Sequence, residues 1–135
     1  MTTPEQPISG TTHTVIFDLK ALTQFSDSGP RATILAETGA AQIVLLALRA
    51  GQSAQDVETR SQIVAQCLRG RATLRIGDAV QALRAGLVAL IEADTRHTFV
   101  ASTDCVLLLT LTPSPDERPA HGLLAGVAPL VVRAE

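Results

Sequence analysis

The chain has 135 residues, of which 46% are hydrophobic and 18% are charged, and its formal net charge is −2. This length suits a single domain over residues 1–135 that buries a core without disulfides or metal. The slightly acidic balance, without a run of lysine or arginine, argues against a nucleic-acid-binding protein. Four arginines recur between residues 69 and 84, and we interpret them as solvated strand residues rather than an anion site: Arg69, Arg71, Arg75 and Arg84.

The N-terminal residues, the longest apolar runs and the cysteines indicate the cellular compartment of the protein. The first residues, MTTPEQPISG, lack the pattern of an export signal, and we expect residues 1–12 to be flexible. The longest apolar runs, 43–48 and 106–109, are too short to cross a bilayer, which takes about 20 helical residues. Cys67 and Cys105 lack C-x-x-C spacing, so we expect free, buried thiols in a reducing compartment. A soluble, cytoplasmic protein without membrane contact is predicted.

The order of strand signals predicts an all-β fold. Only residues 19–25 have the composition for a turn or two of helix, whereas residues 31–112 contain no proline and are free to form central strands. Gly77 and Asp78 predict a tight hairpin, residues 112–119 a loop, and residues 128–135 an edge strand that pairs with 13–19 or with a second subunit. The predicted strands cover residues 32–37, 42–50, 62–69, 72–77, 79–84, 87–92, 97–102 and 105–112.

Two of these strands are apolar at consecutive positions rather than alternate ones. Residues 43–48 read IVLLAL and residues 106–111 read VLLLTL. Such strands are typically covered on both faces. A second sheet on one face and a partner subunit on the other would cover them, so a homodimer is expected.

The glycine spacing resembles that of the small single-domain cupins, which are jelly-roll β-barrels. Gly51 and Gly70 match both ends of the first cupin motif, and Gly86 and His97 match the glycine and the histidine of the second. The motifs are separated by residues 71–85, a length typical of compact bacterial members. The resemblance covers about residues 32–112 and implies an antiparallel, cupin-like jelly-roll barrel.

The resemblance also places the positions that hold a divalent metal in related proteins. The first motif puts Val57, Thr59 and Ile63 where relatives have two histidines and a glutamate, so that His97 alone keeps a metal-ligand side chain. Valine and isoleucine have no donor atom, and a neutral threonine hydroxyl is a weak ligand. We therefore expect no metal and no other cofactor.

The side-chain period of a strand extends this reasoning to neighbouring positions. If Ile63 and His97 point inward, so do the residues two and four positions along each strand. The lining is then apolar with one imidazole, one hydroxyl and one thiol, and it suits either a small apolar ligand or a filled core. A buried His97 needs a hydrogen-bond partner, for which Thr59 or a water is available. The predicted lining is Val57, Thr59, Ile63, Ala65, Cys67, His97 and Phe99.

The favoured function is a metal-free, non-catalytic module that binds a small ligand or a partner. One alternative is a metal-dependent enzyme of the dioxygenase or isomerase type, in which a register slip turns Asp56 and Glu58 inward beside His97. Another is a nucleophilic pair of Cys67 and His97, which is disfavoured because nothing predicts an accessible, electropositive thiol. The third alternative is a structural or regulatory protein whose barrel is solidly packed.

Overall fold

The structure is a computed structural model that describes residues 14–115. In that range the chain forms one short helix and nine strands. No helix in the described range is long and apolar enough to cross a membrane. The elements are α1 (Leu19–Leu22), β1 (Arg31–Glu37), β2 (Gln42–Leu48), β3 (Ser53–Val57), β4 (Gln62–Arg69), β5 (Arg71–Ile76), β6 (Ala79–Arg84), β7 (Val88–Ile91), β8 (His97–Ala101) and β9 (Cys105–Thr112).

The strands form two antiparallel sheets. One has five strands in the order β1-β2-β9-β4-β7, and the other has four in the order β3-β8-β5-β6. Neighbours in each sheet are mostly non-consecutive in the chain, because the backbone crosses repeatedly from one sheet to the other. This is the arrangement of a jelly-roll barrel. The predicted all-β, antiparallel fold class is confirmed.

Local signals located most elements. The helical turn predicted within residues 19–25 is α1, and the Gly77-Asp78 hairpin joins β5 to β6 with Gly77 at φ +59°. Strand β3 carries no such signal: its sequence, SAQDV, is poor in β-branched and aromatic residues, and no strand is predicted there. The edge strand predicted for residues 128–135 and the flexible segment 1–12 lie outside the described residues.

The core lies between the two sheets. Along β4, Ile63, Ala65 and Cys67 are buried while the residues between them are partly or fully exposed. Phe99 on β8 and Leu107 on β9 have no exposed surface. Because burial of one such large apolar side chain stabilises a fold by about 1.5–3 kcal/mol, this layer accounts for much of the stability.

A second apolar cluster covers part of the outer face of the five-stranded sheet. Leu35, Leu45 and Val106 on β1, β2 and β9 pack against the chain that precedes β1, including Phe17 and Phe25. The consecutive apolar residues of β2 and β9 are therefore covered on both faces, as expected. In this region the second cover is the chain's own N-terminal segment rather than a partner subunit.

Candidate functional site

The barrel interior gathers most of the side chains that the sequence analysis assigned to it. Val57, Ile63, Cys67, His97 and Phe99 are each at most 2% exposed. Val57 on β3 lies directly opposite His97 on β8, which joins the two cupin-motif positions across neighbouring strands. Burial alone does not assign a ligand, so their role as a lining stays a prediction.

Thr59 lies apart from this group. It follows the end of β3 and is half-buried, and its hydroxyl donates to the carbonyl of Ser61 at 3.0 Å and accepts from the Ser61 amide at 2.9 Å. Its bonding is thus local to the turn between β3 and β4. Thr59 is not the hydrogen-bond partner of His97.

A β-bulge in β3 determines which side chains face inward. The pairing with β8 shifts register between Ala54 and Val57, and Asp56 adopts φ +49°. The Asp56 amide donates to the hydroxyl of Thr98 at 2.9 Å, which holds the bulge against β8. Because the bulge places Gln55 and Asp56 both outward, Ala54 and Val57 both reach the core.

His97 is the one polar side chain at the centre of this site. It is 1% exposed, and its Nδ1 lies 2.9 Å from the carbonyl oxygen of Thr95. A carbonyl oxygen only accepts, so Nδ1 carries the hydrogen and Nε2 of the neutral ring is an acceptor. Burial lowers the pKa of His97, outweighing the opposing effect of the Thr95 carbonyl, so the neutral form is favoured.

The acceptor atom Nε2 has no hydrogen-bond partner among the described residues, although it is fully buried. The ring of Phe99 lies edge-on to the imidazole, with centroids 5.4 Å apart and planes at 79°. Such contact fixes the ring orientation without satisfying a lone pair. A buried acceptor left unpaired is unfavourable by about 1–3 kcal/mol, and it marks a position where a donor would bind.

The Cys67 thiol forms its hydrogen bonds with backbone carbonyls rather than with His97. The Cys67 thiol donates weakly to the carbonyls of Arg69 at 3.6 Å and Gly70 at 3.5 Å. Burial raises the pKa of Cys67, and burial together with the neighbouring Cys67 thiol raises the pKa of Cys105 to about 12. Both are free thiols held in the protonated form, the opposite of what a nucleophilic cysteine requires.

The donors near His97 do not fit a divalent metal ion. The side chains of Val57 and Ile63 have no donor atom for a metal, and the Thr59 hydroxyl is hydrogen-bonded to Ser61. Within residues 14–115, no three histidine, cysteine, aspartate or glutamate side chains lie close enough together to hold a metal. A divalent ion of the cupin type requires several nitrogen, oxygen or sulfur atoms around one point, and the described residues supply the imidazole alone.

The carboxylates proposed as displaced ligands point outward. Asp56 is exposed on the bulge, and Glu58 accepts from Arg96 at 3.4 Å with a side chain that is 42% exposed. The register irregularity considered in the sequence analysis does occur, but it keeps Val57 inward. It brings neither carboxylate beside His97.

The two glycines of the first motif, Gly51 and Gly70, lie at the end of the barrel rather than in its interior. The Gly51 amide donates to the carbonyl of Ala101 at 2.9 Å, and Gly70 adopts φ +79° beside the backbone of Asp104. Asp104 in turn accepts from the Ala50 amide at 2.9 Å. Both glycines therefore close the barrel around the turn between β8 and β9, a role independent of any metal.

Solved structures with the same architecture exist. An RmlC-like cupin from Desulfovibrio desulfuricans has a TM-score of 0.70 and 25% identity, over 75% of this chain and 98% of that chain. An uncharacterised conserved protein with a double-stranded β-helix domain from Klebsiella pneumoniae has a TM-score of 0.70 and 21% identity, over 76% and 92%. A cupin superfamily protein from Desulfitobacterium hafniense has a TM-score of 0.67 and 17% identity, over 82% and 98%.

The sheet order and these similarities define the class as an antiparallel double-stranded β-helix. The chain is a small protein with the cupin fold, as the glycine spacing indicated. No family model matches the sequence, and no curated protein matches it. The function is therefore argued from the site itself.

Proposed function

We propose that the chain is a metal-free, non-catalytic cupin that binds a small, mostly apolar ligand inside the barrel. The observation that carries the proposal is the buried Nε2 acceptor of His97, which has no partner in the described part of the chain. A buried polar atom among apolar neighbours is where a binding site places the contact that orients its ligand.

The chemistry of the site specifies the ligand class. Nδ1 is committed to the Thr95 carbonyl, so Nε2 requires a hydrogen from its ligand. Val57, Ile63 and Phe99 present only hydrocarbon. The ligand is therefore an apolar molecule with one hydroxyl or N–H group, and a molecule of the same shape without that donor binds more weakly.

The barrel with a solidly filled core is the competing interpretation. In that case the only occupant beside Nε2 is a water molecule, and no organic ligand enters. The close packing of Ile63 and Phe99, at 1% and 0% exposure, favours this interpretation. The unpaired nitrogen supports an occupant that donates a hydrogen bond, because native proteins rarely leave such an atom unsatisfied, and we propose that this occupant is the ligand.

The test compares ligands that differ only in the donor. Phenol and indole are titrated against anisole and N-methylindole, with binding followed by amide chemical shifts of His97 and Phe99. We expect the donor-bearing molecule of each pair to bind about five-fold more tightly, the contribution of one neutral hydrogen bond. Equal affinity within each pair, or no shift with any probe, would overturn the proposal.

Two substitutions of His97 provide matched controls. His97→Asn keeps a donor near the Nδ1 position for Thr95 but lacks the acceptor, so the preference for phenol over anisole disappears. His97→Gln places an amide oxygen near the former Nε2 position and retains part of the preference. If both variants fold as the wild type does and both keep the full preference, the ligand does not contact His97.

The metal-dependent enzyme is not favoured by any observation in the described residues. In such an enzyme Asp56 or Glu58 would have to replace the missing motif ligands beside His97, and both lie at the surface. We accordingly propose the non-catalytic function alone, with metal retention as a test given below.

We further propose a homodimer formed through β7, one of the two edge strands of the five-stranded sheet. Neither β7 nor Leu87 before it has a charged side chain. Val88 and Leu90 are 56% and 61% exposed and lie beside Gln66 and Val64 on the outer face. An apolar edge that has no further strand beside it within residues 14–115 supports pairing with a second copy about a two-fold axis.

Substitutions on one edge strand of each sheet test this dimer. Val88→Lys and Leu90→Lys should produce monomers in sedimentation velocity, because a buried lysine at the interface is strongly unfavourable. Val80→Lys is the control and should stay dimeric. Val80 is 58% exposed and lies on β6, an edge strand of the four-stranded sheet. A folded wild-type monomer, or dissociation of all three variants alike, would contradict the proposed edge.

A cytoplasmic location is proposed as well. Cys67 and Cys105 are free thiols, which is typical of a reducing compartment. Cell fractionation with an antibody to the native chain should find it with cytoplasmic markers, and recovery with exported proteins would contradict this location.

A further inference from the structure

A groove lies on the outer face of the five-stranded sheet, on the opposite side of that sheet from His97. The strands supply Leu68 and Val106, and the segment around α1 supplies Leu19 and Phe25. Its volume is about 450 Å³. This lies within the range of about 300–1,000 Å³ that is usual for small-molecule sites, and we call it the outer groove.

Two cationic side chains line the outer groove. They are Lys20 from α1 and Arg69 from the end of β4. No carboxylate is among its described lining residues, and neither cation forms an ion pair within residues 14–115. The nearby carboxylate of Asp18 accepts from the Ala21 amide at 3.1 Å as the cap of α1. The groove therefore combines apolar walls with a net positive charge.

Arg69 is held in place by Phe25. Its guanidinium carbon lies 5.4 Å from the centroid of the Phe25 ring, and the guanidinium of Arg49 lies 5.2 Å from the same ring. Arg49 is neutralised by Asp27 at 2.8 Å and Asp104 at 3.3 Å. Arg69 stacks on the same ring without an anionic partner in the described chain, so it is oriented but not neutralised.

We propose that the outer groove binds an amphipathic organic anion, with its carboxylate between Lys20 and Arg69 and its hydrocarbon tail against Leu19, Leu68 and Val106. Charge complementarity requires an anionic head, and the apolar walls require a tail. The one further polar side chain among the described lining residues is Thr23, whose hydroxyl donates to the Leu19 carbonyl at 2.7 Å. This site is separate from the barrel interior and does not depend on the ligand proposed there.

The experiment uses decanoate as the anion and decanol as its uncharged counterpart, each titrated into the full chain. Amide shifts map the contact, and we expect them at Lys20, Leu68, Arg69 and Val106 rather than at His97 or Phe99. Decanoate should bind about ten-fold more tightly than decanol at low salt, the combined effect of two exposed charge contacts. Added salt should reduce that difference.

Charge variants test the role of each cation. Lys20→Gln combined with Arg69→Gln should weaken decanoate binding about ten-fold and leave decanol binding nearly unchanged. Arg69→Lys should retain part of the affinity by keeping the charge. Arg75→Gln, an exposed arginine on β5 in the other sheet, is the matched control and should bind as the wild type does.

Three results would overturn the proposal. Equal affinities for decanoate and decanol would show that Lys20 and Arg69 do not contribute to binding. Shifts confined to His97 and Phe99 would place the ligand in the barrel instead. No binding to the full chain would show that the outer groove does not accept this class of ligand.

Discussion

Gly70 lies against the backbone of Asp104 with no room for a side chain between them. A β-carbon at Gly70 would collide with the Asp104 carbonyl oxygen and come within 2.9 Å of the Thr103 hydroxyl. Gly70 also adopts φ +79°, a conformation that disfavours any L-residue. This contact joins the end of β4 to the turn that precedes β9.

Gly70→Ala should therefore be strongly destabilising. The backbone conformation and the displaced Asp104 carbonyl together should reduce the free energy of unfolding by about 3 kcal/mol. Gly77→Ala is the control, since Gly77 has φ +59° but nothing within 4 Å of an added β-carbon, and it should lose only about 1 kcal/mol. Urea unfolding measures both, and equal losses would contradict the close approach.

Stability should fall in mildly acidic solution because of His97. Burial holds its pKa below the ordinary value of 6.5, so above that pH the ring is neutral in both the folded and the unfolded chain. As the pH falls below 6.5, the unfolded chain takes up a proton that the folded protein resists, and the free energy of unfolding decreases. The slope for this one group is at most about 1.4 kcal/mol per pH unit.

His97→Asn removes the titrating ring and should flatten this dependence. Urea unfolding of wild type and variant at about pH 7.5 and about pH 5.5 isolates the histidine, because ordinary carboxylates titrate mainly below this window. A wild-type protein that gains stability on acidification, or a variant with the same slope, would contradict a buried neutral His97.

Both thiols should be inert in the folded protein. Cys67 and Cys105 are at most 2% exposed and burial raises the pKa of each, so few thiolates exist near pH 8. Reaction with a disulfide reagent should be about 100-fold slower than in denaturant, where both thiols react freely. Fast labelling of native Cys67 that is lost in His97→Asn would instead support a nucleophilic pair.

The protein should retain no stoichiometric divalent metal. Untagged protein purified without chelator is incubated with iron(II), manganese(II), nickel(II) or zinc(II), desalted and analysed for metal. The expected content is far below one ion per chain, because one imidazole does not hold such an ion at ordinary concentrations. Retention of one ion per chain that is lost in His97→Ala would reopen the enzymatic interpretation.

The fold was predictable because strand alternation and glycine turns are local signals. Starting from the motif positions Ile63 and His97, the period of two predicted that Cys67 and Phe99 also face inward, and all four side chains are buried. The spacing of Gly51 and Gly70 indicated the cupin fold, and both glycines contact the turn region before β9.

The remaining features depend on contacts that the sequence does not display. The bulge that turns Asp56 outward is held by Thr98, which lies 42 residues away in the chain. The partner of His97 is a backbone carbonyl, at Thr95, and a backbone acceptor leaves no residue pattern. Thr59 was assigned to the lining because the first cupin motif has a ligand position there, but β3 ends at Val57 and Thr59 lies in the turn that follows.

The imidazole nitrogen spectrum of His97 during titration with phenol tests the central claim most directly. We expect a neutral ring with the hydrogen on Nδ1 in the free protein, and on binding a change at Nε2 that indicates a new hydrogen bond while Nδ1 stays as it was. The same titration with anisole should leave Nε2 unchanged. A ring protonated on Nε2 in the free protein, or an Nε2 signal that no ligand moves, would contradict a ligand site built on this atom.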